Sequence, residues 1–365
     1  MSKNIIALLS VTLMITASSC KKESTSPTGC VKEVVEVGAT ISTPTTWDSC
    51  HIYHCAYFPA ISAALTIEAG TIVKFDDQKG LTVMNGGTLT VRGTAAHPVI
   101  FTSSRDDSYG GDNNGDGNAT TPQKGDWQHI TFGTSSGNSI DYAKILYAGS
   151  GTTGLERALN MGDGANNSLT NSVIAHTAGG VDQSYAALDM SASQISCVAT
   201  GNTFYDNGHP VLIGIASNFD NSNTFHNPAN TAQTNAANGI FVSCVAIDQE
   251  SATWGNTEVA YVLGGWSGNS WAMATGKVLT LGNNVVVKFN THTPTPGFSL
   301  LMPDGSVQLQ NYNGTGVAFT AFSDDSRKGD TNGDGLSAGS AGYWEGIFTN
   351  GPTWYSWSNI YFAAH

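Results

Sequence analysis

The sequence predicts an all-β chain wound as a solenoid, on three observations. Short runs alternate apolar and polar residues and are punctuated by Gly, Asn or Asp, as in Leu65-Thr66-Ile67-Glu68 and Thr88-Leu89-Thr90-Val91. No window holds a 3.6-residue apolar period for long, so very little helix is expected. Asn202-Thr203-Phe204 recurs 21 residues on as Asn223-Thr224-Phe225, with Asn171-Ser172-Val173 as a looser third copy. About 20 to 25 residues make one coil of such a solenoid, with a short strand on each face.

In chain order, residues 65–75 read as a strand, a Gly turn and a second strand, and residues 80–84 and 86–91 continue the pattern. Pro98 opens the next strand, a position that tolerates the missing donor. In residues 140–250, an Asn at one position per coil would stack its amides into a ladder. The alternative is an Asn that takes a left-handed corner in each coil. From Trp254 a second block begins: residues 278–289 match 65–75, and residues 359–364 match 144–149. The expected divisions are a signal peptide at 1–19, a lipidated Cys and tether at 20–30, a first copy with middle coils at 31–253, and a shorter second copy at 254–365. No Pro-rich or charged linker separates the copies, so one continuous solenoid is expected.

The strongest repeat lies at residues 101–117, FTSSRDDSYGGDNNGDG, which returns at 319–335 as FTAFSDDSRKGDTNGDG. Eleven of the seventeen positions are identical, and G-x-W-x-x-I follows both copies. Asp112, Asn114 and Asp116 alternate before Gly117, as Asp330, Asn332 and Asp334 do before Gly335. Hard divalent cations need several oxygens at short range, and a D-x-N-x-D-G turn supplies three. An EF-hand would place a bidentate Glu at its twelfth position. Gln123 and Ala341 stand there, so neither loop is an EF-hand. Asp106 and Asp107, or Asp324 and Asp325, are the expected further ligands. Carboxylates crowded in this way repel one another without a cation. The expectation is two structural calcium ions. A solvated Asp/Asn/Gly turn is the bland alternative.

Composition sets limits. Of 365 residues 12% are charged and 42 are Gly, with a net charge of −13. Nucleic acid needs a basic footprint, which is missing. An acidic polysaccharide would need calcium to bridge it. Lys3 precedes an apolar run from Ile5 to Ala17, too short to span a bilayer but suited to a signal peptide. Ala17-Ser18-Ser19-Cys20 resembles the lipobox of bacterial lipoproteins, with Ala17 where Leu is usual. That resemblance implies lipidation at Cys20 and a membrane partner through the lipid, and Lys21-Lys22-Glu23, which follow directly, resemble signals that send some lipoproteins to the outer face of the outer membrane. Ordinary signal-peptidase cleavage is the alternative. Residues 24–29 read as a tether, and the chain is expected to be a monomer. In an oxidising compartment one disulfide among Cys30, Cys50 and Cys55 is expected, and spacing does not select the pair. Cys50-His51-Ile52-Tyr53-His54-Cys55 looks metal-like, but strand alternation divides these residues between two faces. Cys197 and Cys244 are expected as free, buried thiols about two coils apart.

Together, LTIEAGTIVKF, GGTLTVRGTAAHPVIFTSSRDD and the GDNNGDG loop before GDW resemble bacterial extracellular proteins of the right-handed parallel β-helix repeat type. The resemblance covers residues 46–148 well and 254–362 more loosely. It implies the fold and little chemistry, since those proteins are mostly of unassigned function.

A search for catalytic groups is less productive. A lyase needs a basic residue beside a stabilised anion, and a glycosidase needs paired carboxylates on one face. Arg92, Arg105, Lys124, Arg157 and Arg327 read as solvated charges, and His209 as a polar turn residue. Asp163, Asp182, Asp189, Asp206, Asp220 and Asp248 show no spacing that selects a pair. Two functions follow. One is a surface-anchored, calcium-stabilised binding or adhesive scaffold for glycan or another surface partner. Trp266, Trp271, Trp354, Tyr355 and Trp357 are its candidate contacts, with stacking inside the core as their alternative. The other is a calcium-dependent polysaccharide lyase or glycoside hydrolase.

Overall fold

The computed structural model describes residues 30, 32–150, 156–179, 186–193, 196–243, 250–264, 273–290, 299–301, 308–348 and 354–364. Cys20, Cys244, Trp266, Trp271, Asp182 and Asp248 lie outside the described residues. The chain is an all-β, right-handed parallel β-helix, and no described segment is helical. A first sheet runs from Glu33–Glu36 to Thr203–Tyr205, a second from Thr40–Ile41 to Ala318–Ala321, and a third from Thr45–Trp47 to Val198–Thr200. Pairing within them is parallel. The one antiparallel pair among the described strands is a small hairpin, His226–Asn227 with Asn230–Thr234.

Alternation explains the core. In the first sheet, Tyr53, Val73, Phe101, Ile145, Ile174 and Phe204 fall in register, one per coil. All are buried. Each such side chain contributes about 1.5–3 kcal/mol by leaving water. Trp127 stacks on Phe75 with ring centroids 4.2 Å apart, and Trp344 repeats this on Phe289 at 4.1 Å. Their indole N–H groups donate to the carbonyls of Leu146 and Tyr361.

Coil length departs from the expected 20 to 25 residues. Ile52 pairs with Ile72 after 20 residues, but Val99 reaches Ala143 only after 44. The acidic insertion accounts for the long coil. It adds residues outside the barrel without changing the strands.

Asn ladders form, though not wholly where the triplets put them. Asn202 Nδ2 donates to Asn223 Oδ1 at 3.1 Å, and both residues are buried. Thr203 pairs with Val173, so Ser172, not Asn171, stands beside Asn202. Asn171 is exposed with a φ of 51°, the left-handed corner. Both readings of Asn therefore hold, one residue apart. Asn138–Asn167 and Asn207–Asn235 form further ladders at 2.9 Å that no sequence triplet marks.

The two duplicated blocks occupy different faces. Ile72–Phe75 and Val99–Ser103 lie in the first sheet, whereas their counterparts Val286–Phe289 and Ala318–Ala321 lie in the second. After Thr203–Tyr205 the first sheet continues only as the isolated bridge Thr203–Thr224, and the hairpin turns outward. The chain then passes from Ala252–Trp254 straight to Ala260–Leu263 in the second sheet. Dropping one face shifts the second block by one sheet. The second sheet runs through residue 254 without a break.

Cys30 and Cys50 form the disulfide, with Cα atoms 5.5 Å apart. Cys55 is a free, fully buried thiol whose pKa burial pushes up. Cys197 is free but only half-buried, its Sγ 3.2 Å from the Gly164 carbonyl, which corrects the expectation of a buried thiol.

Candidate functional site

The acidic loops leave the barrel at matched points and fold back over it. The first lies on the outer face of the first sheet, where Tyr109 packs against Ile52, Ile72 and Ile100. Gly110 has a φ of 77°, and a Cβ there would fall 2.6 Å from Ile52 Cδ1, so a side chain would strain the backbone and push Ile52 aside. The second loop lies on the second sheet, where Asn238 N–H donates to the Asp330 carbonyl at 3.1 Å.

A buried lysine fastens each loop. Lys74 points outward from its strand, is fully covered, and donates to the Gly111 carbonyl at 2.7 Å. Lys288 is equally buried and donates to the Gly329 carbonyl at 2.7 Å and to Thr331 Oγ1 at 3.1 Å. Burial pushes both ammonium pKa values down. Nearby carboxylates oppose it, chiefly Asp106 and Asp107 for Lys74, and Asp325 and Asp324 for Lys288. The sequence carries this lock in the matching Val-Lys-Phe runs, but alternation alone does not show that a loop will cover an outward lysine.

The structure brings together three of the five expected ligands in each loop. Asp107, Asp112 and Asp116 form one group and Asp325, Asp330 and Asp334 the other. Within each group, one carboxylate oxygen per residue lies within 4.8 Å of the others. Calcium–oxygen bonds of about 2.3–2.6 Å place opposite ligands about that far apart. Asp112 also accepts N–H bonds from Gly115 and Gly117 at 2.7 and 2.8 Å, and Asp330 does so from Gly333 and Gly335 at 2.6 and 3.0 Å. The loops therefore share one internal geometry.

Asp106 and Asp324 stand outside these groups. Asp106 accepts from Thr102 Oγ1 at 2.6 Å and from Ser108, and Asp324 accepts from Thr320 Oγ1 at 2.6 Å and from Ser326. They close the turn, so each Asp pair divides into one structural and one grouped carboxylate. The recurring Thr four residues earlier and Ser two residues later are the signal for that role. Asn114 and Asn332 turn their amide N–H toward Asp116 and Asp334, at 3.0 and 2.8 Å. The Thr120 hydroxyl, with further N–H donors, holds the Asp116 carboxyl below the usual range.

Two oxygens test the fit to a cation. Asp107 Oδ1 and Asp325 Oδ1 are buried and accept no hydrogen bond. Asp325 is 8% exposed, and its Oδ1 lies 3.6 Å from Lys288 Nζ. A buried carboxylate oxygen without a donor is costly, and an all-oxygen group with net negative charge suits calcium.

Other candidates resolve differently. Tyr355 and Trp357 pack on the core, with Trp357 stacked on Tyr312 at 4.2 Å, so their stacking alternative holds. Arg157 is not a solvated charge: its Nε lies 2.7 Å from the buried Asp189. His209 is buried edge-on against Phe241 at 4.7 Å and is not a simple turn residue.

No curated protein and no solved structure matches the chain. The family model of a pectate-lyase-like β-helix domain matches residues 39–154. That span holds the first acidic loop and its lysine lock, and it is the part of the chain that is similar to a pectate-lyase-like β-helix domain.

Proposed function

We propose that this chain is a lipid-anchored envelope protein whose β-helix, stabilised by two calcium ions, acts as a binding scaffold for glycan or another surface partner. The observation that carries the calcium is the same three-carboxylate group built twice on different sheets, each with a buried oxygen that accepts no hydrogen bond. Asp107, Asp112 and Asp116 hold one ion, and Asp325, Asp330 and Asp334 the other. Each ion cross-links its loop as Lys74 or Lys288 fastens it from below. Lipidation at Cys20 rests on the lipobox-like sequence, and placement in the outer membrane on the Lys21-Lys22-Glu23 run that follows it. Among partners, the acidic balance favours neutral surfaces over nucleic acid.

The similarity to a pectate-lyase-like domain supports a second reading, a calcium-dependent polysaccharide lyase or glycoside hydrolase. One experiment separates the two. The calcium-loaded protein is applied to a glycan array and, in parallel, to polysaccharides whose products are followed by ultraviolet absorbance and reducing ends. Binding without product supports the scaffold. Product overturns it in favour of the enzyme.

A further inference from the structure

A second cluster lies at the edge of the first sheet, apart from the acidic groups. Leu146 pairs with Ala175, and Ala175 with Tyr205. The residue that follows each in its coil is therefore Tyr147, His176 or Asp206, one above the next. All three are left-handed, with φ of 64°, 58° and 53°. Bulky side chains seldom hold that conformation, and a run of such residues points to function more readily than to economy of folding.

Their side chains converge. Tyr147 stacks on His176 with centroids 5.0 Å apart, and Tyr205 meets His176 edge-on at 5.5 Å. His176 Nδ1 lies 2.6 Å from Asp206 Oδ2, and Lys124 Nζ donates to Asp206 Oδ1 at 2.7 Å. Burial raises the Asp206 pKa, but the bonds from Lys124 and His176 outweigh it and hold the carboxyl below the usual range. An ionised carboxylate only accepts, so Nδ1 carries the hydrogen and Nε2 is left as the ring's second polar atom. Among the described residues, Nε2 has no partner. Lys124, His176 and Asp206 keep 42%, 24% and 32% of their side chains exposed, so a ligand can reach them.

Loop architecture does not explain Lys124. The second block keeps the lysine lock, the Asp turn, Gly342 and Trp344, but has Ala341 where the first has Lys124. Phe362, with φ 60°, takes the corner that Tyr147 holds in the first block. The conformation recurs, whereas the polar cluster does not.

We propose that Tyr147, His176, Tyr205, Asp206 and Lys124 form the chain's saccharide site, taking a neutral pyranose. A sugar C–H face rests on the tyrosine rings, and a sugar hydroxyl, able both to donate and to accept, hydrogen-bonds His176 Nε2. The charge of Lys124 is matched by Asp206, so the cluster asks for hydroxyls and not for a carboxylate. This rests on the glycan-binding reading above and names its site.

The test is an array of neutral and uronate oligosaccharides probed with the calcium-loaded full chain, His176→Asn and Lys124→Met. Asn tolerates left-handed φ, and Lys124 is exposed, so both variants are expected to keep the wild-type melting temperature. The wild type is expected to bind neutral oligosaccharides, and each variant to lose affinity by about tenfold or more. Neutral binding unchanged in both variants overturns this site and leaves the glycan reading intact. Binding of uronates alone overturns the ligand class proposed here. Wild-type protein that binds no glycan overturns the glycan reading and the site together.

Discussion

Two residues show how single side chains hold the coils in register. His54 sits between Glu36 and Asp76, with Nδ1 2.9 Å from Glu36 and Nε2 2.9 Å from Asp76. Burial lowers its pKa, but the two carboxylates outweigh that and raise it. The folded state therefore keeps the proton to higher pH than the unfolded chain does. That stability is fully present below the unfolded value, about 6.5, and is lost as pH rises through the folded one. His54→Gln is expected to destabilise the protein in urea at about pH 5.5 and to cost less at about pH 9. An equal loss at both would contradict the paired, protonated ring. Asn202 Oδ1 accepts from Ser172 N–H at 3.0 Å, while its Nδ2 donates to Asn223. Asn202→Ala leaves the buried Ser172 N–H without its acceptor and is expected to cost about 1–3 kcal/mol by denaturant unfolding. A loss near zero would mean that the ladder is dispensable.

Loops and coils make up the next scale. Each acidic loop is fastened from below by its lysine and closed from within by Asp106 or Asp324. Lys74→Met keeps the stem but leaves the Gly111 carbonyl without its donor. The variant is expected to be cut by trypsin within the first loop, at Arg105 and Lys124, several-fold faster than the wild type, while the coils resist. An unchanged cutting rate would show that the lock is not needed. Much of this was legible in the sequence: the repeated D-x-N-x-D-G turn, the short strands within residues 65–91, and the Asn202–Asn223 pair. What was not legible depends on distant stacking. Alternation cannot tell that Lys74 will be covered by a loop 37 residues later. Nor can it tell Asp106 from Asp107, because their roles depend on which carboxylate the turn captures. Asn171 was misplaced by one residue because a triplet match does not fix register, which the neighbouring coil sets.

Across the whole molecule, the second sheet runs from Thr40–Ile41 to Ala318–Ala321, so the duplicated blocks share one solenoid although they stand on different faces. The two acidic groups are thus separate clusters on one solenoid, and changes at one are expected to leave the other intact. Calcium binding to the folded state alone stabilises by about 2.7 kcal/mol at a hundredfold excess over Kd. Chelation is therefore expected to lower the melting temperature by several degrees while the far-UV β signal remains. Zinc should not substitute, and magnesium should compete poorly.

The most direct test is calorimetric titration of the chelator-stripped protein with calcium, alongside Asp112→Asn, Asp330→Asn and the double variant. The account predicts two ions bound by the wild type, one by each single variant and none by the double, with the melting temperature tracking occupancy. No calcium uptake by the wild type, with a melting temperature indifferent to chelator, would contradict it.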